Sequence, residues 1–174
     1  MHSRTILVSA AALALTLSAT AQTPSWVRRN SISPDGSTIA FSYKGDIYTV
    51  PSSGGQARQL TSNQAFDSNP IWTRDGKNIV FISYRESGKD IYITSENGGV
   101  PARITNLPGN ETPLAVLPDG SILFSWYNGS VESESYGDFP GTAQLYRTDI
   151  HGAAPELVTS LPVKALSINS EGTI

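Results

Sequence analysis

A short sequence motif recurs along this chain and restricts the folds that the chain can adopt. It consists of an acidic residue and a glycine, followed by β-branched and aromatic residues. The four turns are Asp35-Gly36, Asp75-Gly76, Asp119-Gly120 and Glu171-Gly172, which lie 40, 44 and 52 residues apart. Strand-built repeats of this length are typical of β-propellers, whereas helical repeats would show apolar residues at a 3.6-residue period. No sustained helical period follows residue 21, so the sequence predicts an all-β fold.

Each repeat predicts four short strands separated by glycine-containing turns. In the first repeat one strand ends at Ser33, and three more cover residues 38–43, 46–50 and 57–61. The same order returns at 69–73, 77–83, 90–94 and 102–105, and again from residue 114 with 122–126, 144–149 and 156–159. Because connections of a few residues permit only antiparallel neighbours, each repeat is predicted to be a four-stranded meander.

The second predicted strand of the second repeat is apolar on both faces. Ile79 and Phe81 point to one side of the sheet, and Val80 and Ile82 point to the other. A lone small sheet cannot bury two apolar faces, so the repeats are expected to stack. Burial of each such side chain stabilises the stack by about 1.5–3 kcal/mol.

We therefore predict a β-propeller built from four-stranded antiparallel blades. Three blades are expected, at about 26–61, 69–105 and 114–159, with the start of a fourth at about 165–174. A propeller ring closes with about four to eight blades, so we expect an incomplete ring and a longer protein of which this chain is the amino-terminal part.

The first 21 residues have the pattern of a secretory signal peptide. Arg4 supplies a positive charge, residues 6–17 are largely apolar, and Ala19-Thr20-Ala21 offers small residues at a cleavage site. A membrane span needs about 20 apolar residues, more than this run provides. We expect cleavage after Ala21 and export to the periplasm or the exterior, with no membrane span.

Composition excludes several kinds of chemistry. The chain has no cysteine, which rules out a disulfide, a cysteine nucleophile and a cysteine-ligated zinc. The net charge of -3 gives no basic footprint for nucleic acid, so none is expected as a partner. We also expect no cofactor and no metal, because each acidic-glycine turn offers a single carboxylate and calcium needs several converging oxygens.

The repeat resembles a known family. The stretch from Ser33 to Thr61, SPDGSTIAFSYKGDIYTVPSSGGQARQLT, and less closely residues 73–105, resemble the propeller repeat of TolB and of the tricorn protease. The segments PSWVR at 24–28 and FPGTAQLY at 139–146 are similar to secreted bacterial tricorn-like peptidases. Most of the chain after the signal segment takes part in this resemblance.

The resemblance implies a function that lies partly outside this chain. It implies a propeller placed before a PDZ module and a serine peptidase domain, both beyond Ile174, with the propeller gating or positioning peptides or unfolded protein. No catalytic residue is assigned within the chain. The alternatives are a non-catalytic, TolB-like periplasmic scaffold and a propeller that binds sugars or a cell surface.

Several repeated polar residues are interpreted as structural. Asp35, Asp75 and Asp119 are expected to form turns, since aspartate accepts backbone hydrogen bonds there. A second set of acids, Asp46 and Asp90, precedes Ile-Tyr, and Gln144 takes that place in the third repeat, which favours a hydrogen bond within the blade. Arg58 and Arg103 are read as equivalent positions that could contact these acids.

Residues 126–142 form an insertion between the second and third strands of the third repeat. It combines acidic residues with aromatic ones, and insertions in repeat proteins often lie on the working face. Trp126, Tyr127 and Tyr136 are therefore the predicted binding residues. A solvated loop that merely covers an edge is the alternative.

Overall fold

The computed structural model describes residues 27–86, 88–127 and 143–161, together with residues 163, 166 and 169. The predicted signal peptide, Tyr136 and most of the predicted fourth blade lie outside the described residues. Within them the chain forms strands and turns without a helix, in three separate four-stranded antiparallel sheets. The predicted all-β architecture is confirmed.

Each sheet is a meander in which neighbouring strands follow one another in sequence. Blade 1 consists of β1 (Arg28–Ile32), β2 (Thr38–Tyr43), β3 (Asp46–Pro51) and β4 (Arg58–Gln59). Blade 2 consists of β5 (Asp67–Trp72), β6 (Asn78–Ser83), β7 (Asp90–Ser95) and β8 (Ala102–Arg103). Blade 3 consists of β9 (Asn110–Val116), β10 (Ile122–Tyr127), β11 (Gln144–Thr148) and β12 (Glu156–Thr159).

The acidic-glycine turns join the first and second strands of each blade, as predicted. Asp35 Oδ1 accepts hydrogen bonds from Ser33 Oγ at 2.5 Å and from the Ser37 backbone N–H at 3.0 Å. Asp75 and Asp119 accept the corresponding backbone N–H at 3.1 and 2.9 Å. These hydrogen bonds, first the one from Ser33, lower the pKa of Asp35 to about 2. The carboxylates therefore act as turn formers.

The blades stack through the two apolar faces of β6. Ile79 and Phe81 pack into a cluster with blade 1 residues that include Ala40 and Ile47. Val80, on the opposite face, packs with blade 3 residues that include Phe124. Phe81, Ile79 and Val80 are fully buried. The prediction that both faces of this strand are covered by neighbouring repeats is confirmed.

The first strand of each blade lies beside the first strand of the next. Contacts join β1 to β5 and β5 to β9. The indole Nε1 of Trp72 on β5 donates to the Ser31 carbonyl on β1 at 3.1 Å, which ties two of these inner strands together. We call the first strand of each blade its inner strand. The starts of these inner strands therefore lie together at one end of the stack.

Two strand boundaries differ from the predictions for a common reason. β5 begins at Asp67 and β9 at Asn110, each earlier than predicted, because Asp67 pairs with Ser83 and Asn110 with Tyr127 in the adjacent strand, and cross-blade hydrogen bonds add to this pairing. The Asp67 backbone N–H donates to the Gly45 carbonyl at 2.7 Å, and the Glu111 N–H donates to the Lys89 carbonyl at 2.9 Å. Polar residues that read as loop are thereby drawn into the sheets.

The fourth strands of blades 1 and 2 are shorter than predicted because the backbone pairing of each ends in a bifurcated hydrogen bond, whereas β12 of blade 3 has its predicted bounds. The backbone N–H groups of Leu60 and Thr61 both donate to the Ile47 carbonyl, at 2.8 and 3.4 Å. In blade 2 the N–H groups of Ile104 and Thr105 share the Ile91 carbonyl in the same way. The chain leaves the sheet at these points and turns toward the next blade.

Candidate functional site

An open cleft of about 710 Å³ lies at the end of the stack where the inner strands begin. We call it the mouth cleft and define it by Arg28, Arg29, Phe66, Asn69, Tyr84 and Lys89, with hydroxyl groups also in its wall. An adjoining cleft of about 440 Å³ shares Arg28 and Phe66 and adds Lys44. All three blades contribute, since the start of β9 also lines the mouth cleft.

Two backbone irregularities shape this cleft. Arg29 on β1 and Asn69 on β5 have φ of +47° and +56°, and the strand register shifts at both positions. Asparagine tolerates this left-handed conformation, whereas arginine adopts it less readily. Bulges of this kind redirect side chains and are frequent near functional sites. Asn69 Nδ2 donates to the Pro113 carbonyl at 3.0 Å, which fixes the bulge against β9.

Lys89 is a half-buried cation in the wall of the cleft. Its Nζ donates to Thr112 Oγ1 on β9 at 2.8 Å. Burial lowers the pKa of Lys89, the nearby positive charge of Arg29 lowers it further, and Glu111 acts in the opposite direction. The ammonium group is thus held in place and is less fully hydrated than a surface lysine.

An aromatic pair stands at the rim. Phe66 and Tyr84 are 54% and 45% exposed and meet edge to face, with ring centroids 6.3 Å apart. The Phe66 ring lies over the β2–β3 turn, where its Cδ2 atom would be 3.3 Å from a Cβ added at Gly45. Gly45 has φ of +90°, so both its conformation and the approach of Phe66 favour glycine there.

Below the cleft, a similar set of buried polar groups occurs where blade 1 meets blade 2 (the first junction) and where blade 2 meets blade 3 (the second junction). At the first junction Thr61 Oγ1 accepts the Ile47 N–H at 2.9 Å, and at the second Thr105 Oγ1 accepts the Ile91 N–H at the same distance. Each threonine hydroxyl lies 3.4 Å from one carboxyl group of an interacting pair: Asp46 of the Asp46–Asp67 pair at the first junction, and Glu111 of the Asp90–Glu111 pair at the second. Corresponding residues are 44 positions apart.

Arginines neutralise one carboxylate at each junction. Arg85 Nη2 lies 2.8 Å from Asp67 Oδ2, and Arg103 Nη2 lies 2.7 Å from Asp90 Oδ2. The two aspartates are almost completely buried. Buried carboxylates require such partners, because an unpaired buried charge is strongly destabilising.

Glu111 differs from the other junction acids because no arginine pairs with it in the described part of the chain. It is fully buried, and its carboxyl group is within hydrogen-bonding reach of Asp90. Burial, followed by the negative charge of Asp90, raises the pKa of Glu111 to about 8. At neutral pH Glu111 is therefore protonated and donates a hydrogen bond toward Asp90.

The expected equivalence of Arg58 and Arg103 is wrong. Arg103 pairs in register with Tyr92, and in blade 1 the residue paired with Tyr48 is Gln59. Gln59 Nε2 donates to Asp46 Oδ2 at 3.0 Å, whereas Arg58 donates to carbonyl groups on the β7–β8 turn of blade 2. The predicted contact between an acid and an arginine therefore exists in blade 2, between Asp90 and Arg103, and in blade 1 the amide of Gln59 takes the place of the arginine.

The structural interpretation of Asp46 and Asp90 is confirmed by these contacts, since both acids bond within their own blades. Among the described residues no group of three acids or histidines is placed to hold a metal ion. Nor does any helix in that part of the chain have the length and apolar character needed to cross a bilayer.

A family model matches this arrangement of blades. The model for the tricorn protease N-terminal β-propeller domain matches residues 24–174. The chain belongs to this family.

Two relatives of this propeller carry names that indicate different roles. The uncharacterized peptidase YuxL of Bacillus subtilis is 31% identical over 123 residues, covering 64% of this chain and 18% of the relative. The Tol-Pal system protein TolB of Desulfosudis oleivorans is 38% identical over 114 residues, covering 63% of this chain and 24% of the relative. The chain spans less than half the length of the curated relatives it matches.

A solved structure shows the same fold. A TolB-type protein from Agrobacterium tumefaciens superposes with a TM-score of 0.69 at 22% identity, covering 79% of this chain and 50% of that one. At this identity the likeness establishes the propeller architecture alone.

Of the residues predicted to bind, Trp126 and Tyr127 lie on the same end of the propeller as the mouth cleft but outside its wall, and Tyr136 is outside the described residues. Tyr127 pairs with Asn110, which in turn bridges to Lys89. Trp126 is half-buried: its Nε1 donates to the Pro108 carbonyl at 3.0 Å, and its ring meets Tyr146 at 5.1 Å. The structure thus gives Trp126 a packing role, and it shows where the insertion after Tyr127 departs.

The residues that line the cleft are not among those predicted from the sequence to bind. Arg29 and Asn69 sit in strands whose bulges leave no mark in the alternation of apolar residues, and Lys89 reads as an ordinary loop lysine. One signal was available: Phe66 and Tyr84 are aromatic residues at the two ends of the first two strands of blade 2, where burial does not require them.

Proposed function

We propose that the end of the propeller carrying the mouth cleft binds peptides or unfolded protein, and that this chain is the propeller part of an exported, tricorn-like serine peptidase. The observation that supports this most directly is the cleft itself, about 710 Å³ in volume, lined by cations and edged by an exposed aromatic pair. Such a mixture suits a polypeptide, which presents charged, apolar and backbone amide groups together.

In this proposal the propeller gates or positions substrate for a catalytic centre elsewhere in the protein. PDZ and peptidase domains would follow the propeller in the same polypeptide, and residues 1–21 would direct export. Membership of the tricorn N-terminal propeller family and the likeness to a peptidase support this assignment. Tyr127, whose strand partner Asn110 bridges to Lys89 of the cleft, would extend the binding surface, and Tyr136 of the insertion is proposed to join it.

The proposal is tested by measuring binding of labelled, unfolded casein fragments to the purified chain by fluorescence anisotropy. Replacing the exposed ring by Phe66→Ser should weaken binding about five- to tenfold, the loss expected when an aromatic contact is removed. Val100→Ser, at a 97% exposed apolar position on the loop after β7, is the matched control and should have no effect. Equal affinity in both variants would contradict a binding role for this end of the propeller.

Catalysis is tested separately, by following the same fragments with mass spectrometry. The chain alone should leave them intact, and the protein encoded by the complete reading frame should cleave them. Cleavage by the chain alone would refute the placement of the chemistry outside it.

A non-catalytic, TolB-like scaffold is the second candidate function, favoured by the 38% identity to a TolB protein. A scaffold would bind a folded partner protein through the same end and leave unfolded casein unbound. The anisotropy experiment therefore separates the two functions, because only the peptidase proposal requires affinity for unfolded chains.

A further inference from the structure

The charge of the mouth cleft is opposite to that of the chain. The protein carries a net charge of -3, yet each charged residue that lines the two adjoining clefts is cationic. Arg29 and Lys89 face the larger cleft, and Lys44 faces the smaller one. A concentration of one sign in a concave surface attracts ligands of the opposite sign.

The acids behind the larger cleft do not cancel this charge, whereas Asp46, two residues from Lys44 at the smaller cleft, is partly exposed and is held by Gln59 Nε2 at 3.0 Å. Asp67 is held by Arg85 at 2.8 Å, and Asp90 is held by Arg103 at 2.7 Å. Glu111, which lies behind Lys89, is fully buried inside the blade junction. In the described part of the chain neither Arg29 nor Lys89 forms an ion pair, so both can act on a ligand in the larger cleft.

One of these cations is anchored by a hydrogen bond, and the other two are oriented by the backbone or by an aromatic ring. Lys89 is anchored by Thr112 at 2.8 Å, and the bulge at Arg29 directs that residue into the cleft. Lys44 stands on the β2–β3 turn, where its Nζ lies 5.3 Å from the centre of the Tyr43 ring. Pre-positioned cations lose less conformational freedom on binding than mobile surface lysines.

We propose that the mouth cleft binds an acidic polypeptide segment, with carboxylates on Arg29, Lys89 and Lys44 and an adjacent apolar side chain on the Phe66–Tyr84 pair. This deepens the proposed function and rests on it. The few, separate cations and the aromatic edge fit a peptide in which acidic and apolar residues are mixed. A polyanion with one charge at every unit would need a longer cationic track.

The test compares two labelled peptides by anisotropy with the purified chain. One peptide alternates glutamate with leucine, and its partner replaces each glutamate by glutamine. The acidic peptide should bind at least about tenfold more tightly, and its affinity should fall as salt rises from about 0.05 to 0.3 M. The acidic peptide is made both with a free and with an amidated carboxyl terminus. Comparing the two separates the contribution of the side-chain carboxylates to binding from that of the terminal carboxylate.

Variants assign the binding to the named cations. Arg29→Gln, Lys89→Gln and Lys44→Gln should each weaken the acidic peptide about three- to tenfold and leave the neutral peptide unchanged. Arg74→Gln and Lys77→Gln are matched controls, since they remove the same charge from exposed positions on the β5–β6 turn at the opposite end of blade 2. Circular dichroism melting curves confirm that the variants remain folded.

The outcomes are distinguishable. Equal binding of both peptides, with no effect of the cation variants, would overturn the acidic preference while leaving the proposed peptide-binding function intact. Failure of every peptide and of casein to bind would overturn both. Tighter binding of a polyuronate or of single-stranded DNA than of the acidic peptide, abolished by the same variants, would overturn the assignment to polypeptides. Loss of affinity in the Arg74 and Lys77 controls would show that only the overall charge matters, which also overturns it.

Discussion

Replacing Glu111 by glutamine should make the protein more stable at neutral pH and leave it nearly unchanged below about pH 4.5. The Glu111 carboxyl is fully buried against Asp90, near Thr105 and the Asp90–Arg103 ion pair, with Lys89 in the adjoining wall. Its folded-state pKa is about 8, compared with an ordinary value of 4.5. Glutamine has the shape of the protonated acid but cannot ionise.

The direction in which stability changes with pH follows from the number of protons bound in the folded and unfolded states. Between pH 4.5 and about 8 the folded protein keeps the proton on Glu111, whereas the unfolded chain releases it. Stability from this group is therefore fully present below pH 4.5 and is lost as pH rises toward 8, by about 1.4 kcal/mol for each pH unit. From pH 5.5 to 7.5 the expected loss is about 2–3 kcal/mol.

The assay is urea unfolding followed by tryptophan fluorescence at pH 5.5 and 7.5. We expect Glu111→Gln to exceed the parent protein by about 2–3 kcal/mol more at pH 7.5 than at pH 5.5. Glu156→Gln, at an exposed glutamate on β12, is the matched control and should change stability by less than about 0.5 kcal/mol at both pH values. Parallel stability curves for the Glu111 variant and the parent would refute a buried, neutral Glu111.

Three further predictions concern packing, a turn and an ion pair. Phe81→Ala should cost about 3–5 kcal/mol in urea unfolding, because the ring is fully buried between blades 1 and 2; a cost below about 1 kcal/mol would contradict the stacked arrangement. Gly45→Ala should destabilise more than Gly54→Ala, since both have φ near +90° but an aromatic ring lies 3.3 Å from the added Cβ only at residue 45; equal thermal shifts would contradict that contact. Arg103→Met should cost about 3 kcal/mol because it leaves a buried aspartate unpaired, whereas Arg58→Met, at an exposed position, should cost less than about 1 kcal/mol. Similar chemical denaturation midpoints for the two variants would indicate that the two arginines have equivalent roles after all.

The sequence was sufficient for the architecture because the signals of the fold are local. The acidic-glycine turn at Asp75 and the double-sided apolar strand around Phe81 each involve neighbouring residues, and both predict stacked meanders without reference to distant parts of the chain. Strand β2 was predicted at its observed bounds for the same reason. Local turn chemistry and face patterning agree, which is the condition under which sequence reasoning works well.

The site could not be predicted in the same way because it is assembled across blades. The cleft unites the start of β1, the start of β5 and Lys89, residues that are up to about 60 positions apart. The bulge that places Arg29 depends on its pairing with β2, and the anchor of Lys89 is a threonine on β9. None of these relations has a sequence pattern. Trp126 and Tyr127, predicted from the insertion, lie at the same end of the propeller as the cleft, but Trp126 is directed into packing with Tyr146.

The two blade junctions show how a strict repeat can carry different electrostatics. Position 59 is glutamine and position 103 is arginine, so the cation that partners the third-strand acid exists only at the second junction. The inner-strand acid has Arg85 as its partner at the first junction, whereas the residue 44 positions later in the sequence is a glycine.

Each junction therefore combines two carboxyl groups with one arginine, but the arginine approaches from opposite sides. One carboxyl group is left without an arginine at each junction. At the first it is Asp46, which is partly open to solvent and held by amide and hydroxyl groups, so its pKa is raised only by burial and by the charge of Asp67. At the second it is the longer Glu111, which reaches into the interior and must carry a proton. The exchange of one arginine between strands thus converts an ordinary polar contact into a buried acid whose charge is set by pH, directly behind the lysine that faces the cleft.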